Sequence, residues 1–95
     1  MITSKQRAYL RGLANSMEPI LQIGKGGISE NLVTQISEAL EKRELIKVHI
    51  LESAMLNTKE ACSQLAELTG AECVQAIGNK FVLYRESEKN KKIEI

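Results

Sequence analysis

Pro19-Ile20-Leu21-Gln22-Ile23-Gly24-Lys25-Gly26-Gly27-Ile28-Ser29-Glu30 decides the fold. Ile20 to Ile23 is short, rich in β-prone residues and bounded by Pro and Gly, so it reads as a strand. Proline at its start suits an edge strand or a first strand position, because it has no N–H to give to a ladder. Ser29 is a good helix N-cap, and Leu32, Val33, Ile36 and Leu40 supply one apolar stripe of a helix running to about Arg43. Glu30 at its start and Lys42 and Arg43 at its end suit the helix dipole. A strand therefore enters a helix through a glycine-rich loop.

Downstream, Leu45 to Leu51 alternates: Ile46, Val48 and Ile50 share one face, and Leu45, Lys47, His49 and Leu51 the other, which is mixed. Asn57 with Glu60 forms a capping signature, and Ala61, Cys62, Leu65, Ala66 and Leu68 continue a helix that Gly70 can stop. Cys73–Ile77 and Phe81–Tyr84 flank Gly78-Asn79-Lys80 and read as a hairpin. Upstream, Thr3 with Gln6 is a capping box, and Tyr9, Leu10, Leu13 and Met17 form the stripe of a helix over about 4–15. Gly12 inside it costs about 1 kcal/mol against Ala. The order is α-β-α-β-α-β-β, an α/β (α+β) chain. Its expected form is a mixed four-stranded sheet with helices mainly on one face.

Ninety-five residues support one domain, expected over 1–86, with 87–95 as a charged, flexible tail. No apolar run approaches a membrane span and the N-terminal residues form no signal peptide, so the expected compartment is the cytoplasm. Cys62 and Cys73 form no CxxC, and with His49 the only histidine no zinc set can be assembled. Both cysteines fall at apolar positions and read as reduced, buried thiols. No catalytic constellation appears: His49 has no partnered nucleophile, and the glutamates fall mostly on polar helix faces. No cofactor or metal is expected.

Charge is unevenly distributed. Residues 1–28 carry four cations to one Glu (+3), residues 29–78 four cations to eight Glu (−4), and residues 79–95 five cations to three Glu (+2). A basic end beside an acidic middle can present an oriented surface. Gly24-Lys25-Gly26-Gly27 lets the backbone approach a ligand without Cβ interference, beside a helix N-terminus and the Lys25 charge. That combination suits a phosphate. No Walker A or Rossmann fingerprint can be written here. GxxG alone also describes a simple tight turn, although KH modules use such a loop to clamp single-stranded RNA. Arg7 and Arg11, one turn apart, can join Lys25 if the first helix packs beside the first strand.

Lys5-Gln6-Arg7 with Tyr9-Leu10-Arg11, Gln22-Ile23-Gly24-Lys25-Gly26-Gly27, Glu44-Leu45-Ile46-Lys47-Val48, Ile77-Gly78 and Val82-Leu83-Tyr84-Arg85 together resemble the CRM domain (chloroplast RNA splicing and ribosome maturation). The resemblance covers about residues 2–86 and is nearest to free-standing bacterial YhbY-like members. It implies a fold similar to the C-terminal domain of bacterial translation initiation factor three. It also implies RNA binding and association with precursors of the large ribosomal subunit. The expected partners are thus precursor large-subunit ribosomal RNA and its particles, with no membrane. The expected RNA-binding residues are Gly24, Lys25, Gly26 and Gly27 with Arg7 and Arg11, joined by Lys5, Lys80 and Arg85. Three aromatic residues are too few for base-stacking platforms of the RRM kind, so contacts to phosphate and sugar are expected. The competing reading is a small protein-interaction module using its sheet face.

Overall fold

The computed structural model describes residues 2–95, so Met1, the first residue of the expected 1–86 domain, lies outside it. Three main helices and four strands follow in the expected order: α1 Ser4–Ala14, β1 Leu21–Ile23, α2 Glu30–Arg43, β2 Leu45–Ile50, α3 Thr58–Thr69, β3 Glu72–Ile77 and β4 Lys80–Tyr84. A single 3-10 turn, Glu52–Ala54, follows β2. Each main helix starts on the anticipated cap. Thr3 Oγ1 accepts from Gln6 N–H while Gln6 Oε1 accepts from Thr3 N–H; Ser29 accepts from Leu32 N–H, and Asn57 from Glu60 N–H. Gly70 ends α3 at φ 71°, where a side chain would be strained.

The sheet order is β1-β2-β4-β3, with β1 and β2 parallel and the other two pairs antiparallel. Ile23, Ile46, Val48, Ile50, Phe81 and Leu83 pack on one face against α2 and α3. Burial of each such side chain contributes about 1.5–3 kcal/mol before chain entropy is counted. The opposite face carries Leu45, Val74, Val82 and Tyr84 beneath Leu10 and Ala14 of α1. Two of the three helices thus lie on one face, as expected, and α1 covers part of the other. The link from α1 to β1 is long enough to cross the sheet, so α1 lies over β2, β3 and β4 and not beside β1. Its stripe is also narrower than the sequence suggests: Leu10 and Ala14 are buried, whereas Tyr9 and Leu13 stay exposed.

One further expectation is overturned. Cys62 on α3 and Cys73 on β3 form a disulfide, their Cα atoms 5.9 Å apart. Antiparallel packing of α3 along β3 brings them within bridging reach, which sequence spacing could not reveal. Nor are all the glutamates solvated. Glu44, between α2 and β2, is buried with φ 65°, and its carboxylate accepts from the N–H groups of Ser87, Lys92 and Ile93 at 2.5–2.8 Å. Glu41 accepts from Ser87 Oγ and from the N–H groups of Glu88 and Lys89. Within the charged segment expected to be a flexible tail, residues 87–93 are therefore held at the C-terminal end of α2, and Ile93 packs against the α1 core.

Candidate nucleic-acid interface

β1 ends at Ile23, and the chain turns at once. Gly27 N–H donates to Gly24 C=O at 2.9 Å, closing a four-residue turn with Lys25 and Gly26 at its tip. The amides of these two central residues lie outside the turn's own hydrogen bond. Gly27 takes φ 64°, a left-handed conformation that favours glycine. Gly26 needs no such conformation; a Cβ built there meets nothing within 4 Å, so the tip faces open space. Only Gly27 of the three thus uses the freedom of positive φ. A turn followed by a left-handed residue gathers N–H groups into an anion-binding hollow, here leading to the N-terminus of α2.

Register determines what stands beside the loop. Gln22 of β1 pairs with His49 of β2, His49 with Lys80 of β4, and Lys80 with Ile77 of β3. Paired residues share a face, so this row lies on the α1 side of the sheet, at the end where the glycine loop leaves β1. The next row holds Lys47, Val82 and Gln75. α1 covers the far end, above Leu45, Val82 and Tyr84, and leaves the first row open: Gln22, Ile77 and Lys80 are exposed and His49 half-buried, with Lys47 and Gln75 half-buried on either side of the covered Val82. The apolar end of the face is therefore occupied within the chain, and the free end carries the cation of Lys80 with Gln22 and His49 beside the exposed Ile77. Leu51, at the end of β2, lies under Gly24, 3.7 Å from where a Cβ would stand.

The expected binding residues separate on this frame. Lys25 and Lys80 both stand at the loop end of the sheet. Arg7 and Arg11 share one flank of α1, and Arg7 Nε donates to the Cys73 carbonyl of β3 at 3.4 Å. Lys5 belongs to the other flank, lining a hollow with Tyr9, Glu94 and Ile95 at the tail, while Gln6 faces Glu72 and Tyr84. Arg7 therefore stands at the β3 edge, opposite the β1 edge that carries the glycine loop, and because α1 does not pack beside β1 it does not bring Arg7 to Lys25 as the sequence had allowed. Arg85 has another task. Its Nη1 donates to Ser37 Oγ and to the Thr69 carbonyl, and its Nη2 to the Ser37 carbonyl, at 2.7–3.0 Å, tying β4 to α2 and the end of α3. Its guanidinium is committed to the fold.

Lys47 and His49 were not among the expected binding residues. Alternation puts both on the mixed face, but the alignment of His49 with Gln22 and Lys80, and of Lys47 with Val82 and Gln75 in the next row, depends on a pairing register set by the neighbouring strands. Among the described residues, no group of three or more His, Cys, Asp or Glu is arranged to hold a metal ion. Nor is any helix long and apolar enough to cross a membrane.

The CRS1 / YhbY (CRM) domain model matches residues 2–85. The chain is 45% identical over 95 residues to the Bacillus subtilis protein named Probable RNA-binding protein YqeI, covering 100% of this chain and 99% of that one. It is 34% identical over 90 residues to a Haemophilus influenzae protein named RNA-binding protein, covering 95% and 91% of the two chains. The solution structure of SAV1595 from Staphylococcus aureus superimposes with a TM-score of 0.80 at 50% identity, covering 100% of this chain and 99% of that one. With the fold and nearly the whole sequence matched, this chain belongs to the CRS1 / YhbY (CRM) domain family.

Proposed function

We propose that this chain binds RNA through its backbone, associates with precursors of the large ribosomal subunit in the cytoplasm and assists their assembly. One observation carries the RNA reading: an unobstructed glycine turn, with Lys25 at its tip, stands at the open end of a sheet whose apolar end is already covered. The Lys25 ammonium and the backbone N–H groups of Lys25 and Gly26, which the turn's own hydrogen bond leaves free, hold phosphate. Lys80, Lys47, Arg7 and Arg11 extend the cationic surface across this face and along the α1 flank. The relatives named as RNA-binding proteins support the ligand class, and the CRM resemblance supports the ribosomal target.

Five cations on a single strand give a slope of about −3.5 in log affinity against log salt, or roughly a hundredfold loss between 50 and 200 mM. Lys25→Ala should weaken binding to RNAs of different sequence by similar factors and reduce the slope by about 0.7. An affinity insensitive to salt would contradict the backbone mechanism. For the ribosomal role, the test is gradient sedimentation of a cell lysate with detection of this chain in each fraction. Comigration with large-subunit precursors is expected; recovery only among free proteins would remove that role.

A further inference from the structure

Beneath the glycine loop the structure holds a feature that phosphate binding does not use. The chain leaving β2 makes the 3-10 turn Glu52–Ala54 and ends it on Met55, which takes φ 53° and is 91% exposed. A non-glycine residue held left-handed is uncommon, and here it sets an apolar side chain out over its surroundings. Met55 borders a cleft of about 330 Å³, floored by Ile50, Leu51 and Leu56 and rimmed by Glu52 and Asn79. That volume lies at the small end of the ~300–1,000 Å³ typical of ligand sites.

The cleft is tied to the loop. Leu51, part of the floor, is the side chain lying under Gly24, and its N–H donates to Ile23 C=O at 2.9 Å. The opposite wall is fixed by the β3–β4 turn: Ile50 N–H donates to Asn79 C=O at 2.7 Å, and Thr58 Oγ1 donates to Gly78 C=O at 2.6 Å. The phosphate loop and the cleft thus stand on either side of one leucine.

We propose that this cleft receives one unpaired nucleobase of the RNA whose phosphate the glycine loop holds. The occupant follows from the lining. A base is flat, apolar on its faces and polar at its edges, which matches an aliphatic floor and a polarisable thioether with an amide and a carboxylate at the rim. Glu52 repels phosphate but accepts from ring or exocyclic N–H groups of a base, and the Asn79 carboxamide can donate to a ring nitrogen or carbonyl. Stacking without aromatic residues thereby becomes available to a chain that lacks an aromatic platform. The inference rests on the RNA-binding reading above and adds a base subsite to it.

The test is fluorescence anisotropy of the full chain with a short single-stranded RNA and a series in which each position in turn is abasic. One abasic position should weaken the wild type by roughly five- to one-hundred-and-fifty-fold, the range for loss of one stacked base. Met55→Ala should bind intact RNA more weakly and show little further loss at that position, as should Asn79→Ala. Lys25→Ala should weaken intact and abasic RNAs equally and keep the difference between them. Both Met55 and Asn79 are exposed, so the variants should fold, which circular dichroism checks. Tight, salt-dependent binding with no abasic position distinguished would overturn the base subsite and leave the backbone reading standing. So would a positional penalty unchanged in both cleft variants. No binding to any RNA would overturn both.

Discussion

Replacing Glu44 with Ala should release the C-terminal segment and lower stability by about 2–4 kcal/mol. The carboxylate serves three N–H donors, of which Ser87 N–H is buried and those of Lys92 and Ile93 are partly so. A buried donor without a partner costs about 1–3 kcal/mol. The segment can escape that cost by lifting into water, but it then loses the packing of Ile93, which adds about 1–2 kcal/mol for a partly buried aliphatic side chain. Backbone strain at φ 65° is common to Glu and Ala and cancels in the difference. Protonation should do the same work as mutation. Burial pushes the Glu44 carboxyl up, but the three backbone donors and nearby Lys91 outweigh it and hold the group below 4.5. Its stabilising contribution is therefore complete above about pH 4.5 and is lost as pH falls through the lower folded-state value. Urea unfolding of wild type and Glu44→Ala across this range, with amide exchange at Ser87 and Ile93, measures both effects. The two proteins should converge in stability as pH falls. An unchanged midpoint in Glu44→Ala at neutral pH, with the Ile93 amide still protected, would refute the reasoning.

Reduction of the Cys62–Cys73 bridge, or its replacement by two Ala, should cost roughly 2.8 kcal/mol from loop-closure entropy across their separation of 11 residues, read as a lower midpoint in urea. Gly12→Ala should raise stability by about 0.5–1 kcal/mol, since the position is exposed, helical and has no neighbour within 4 Å of a new Cβ; a lower Tm would contradict this. Arg85→Met should cost about 2–4 kcal/mol by leaving the Ser37 and Thr69 carbonyls without their donor, while RNA affinity under folding conditions stays within twofold. A large loss of affinity in a folded Arg85→Met protein would return that residue to the binding surface.

Elements governed by local chemistry could be read from the sequence. Thr3 with Gln6, Ser29, Asn57 with Glu60, and Gly70 each act within a few residues, and all four mark helix ends where expected. Period-two alternation in Leu45–Ile50 sorted its two faces. What could not be read depends on distant segments meeting. Nothing local shows that α1 crosses to the far face of the sheet, that Cys62 faces Cys73, or that the buried Glu44 carboxylate binds a segment more than 40 residues later. Arg85 shows the same limit from the other side: a cation beside basic neighbours resembles a binding residue until its partners on α2 and α3 come into view.

Gly26→Leu addresses the main-chain contact with RNA most directly. The position has ordinary φ and open space, so the substitution should leave the fold intact while covering the tip of the turn. No charge changes, so the salt slope should persist. Affinity should fall by roughly ten- to one-hundred-and-fifty-fold, the equivalent of one charge-assisted hydrogen bond. A folded Gly26→Leu protein that binds single-stranded RNA as tightly as the wild type at every salt concentration would show that the glycine turn does not touch the strand.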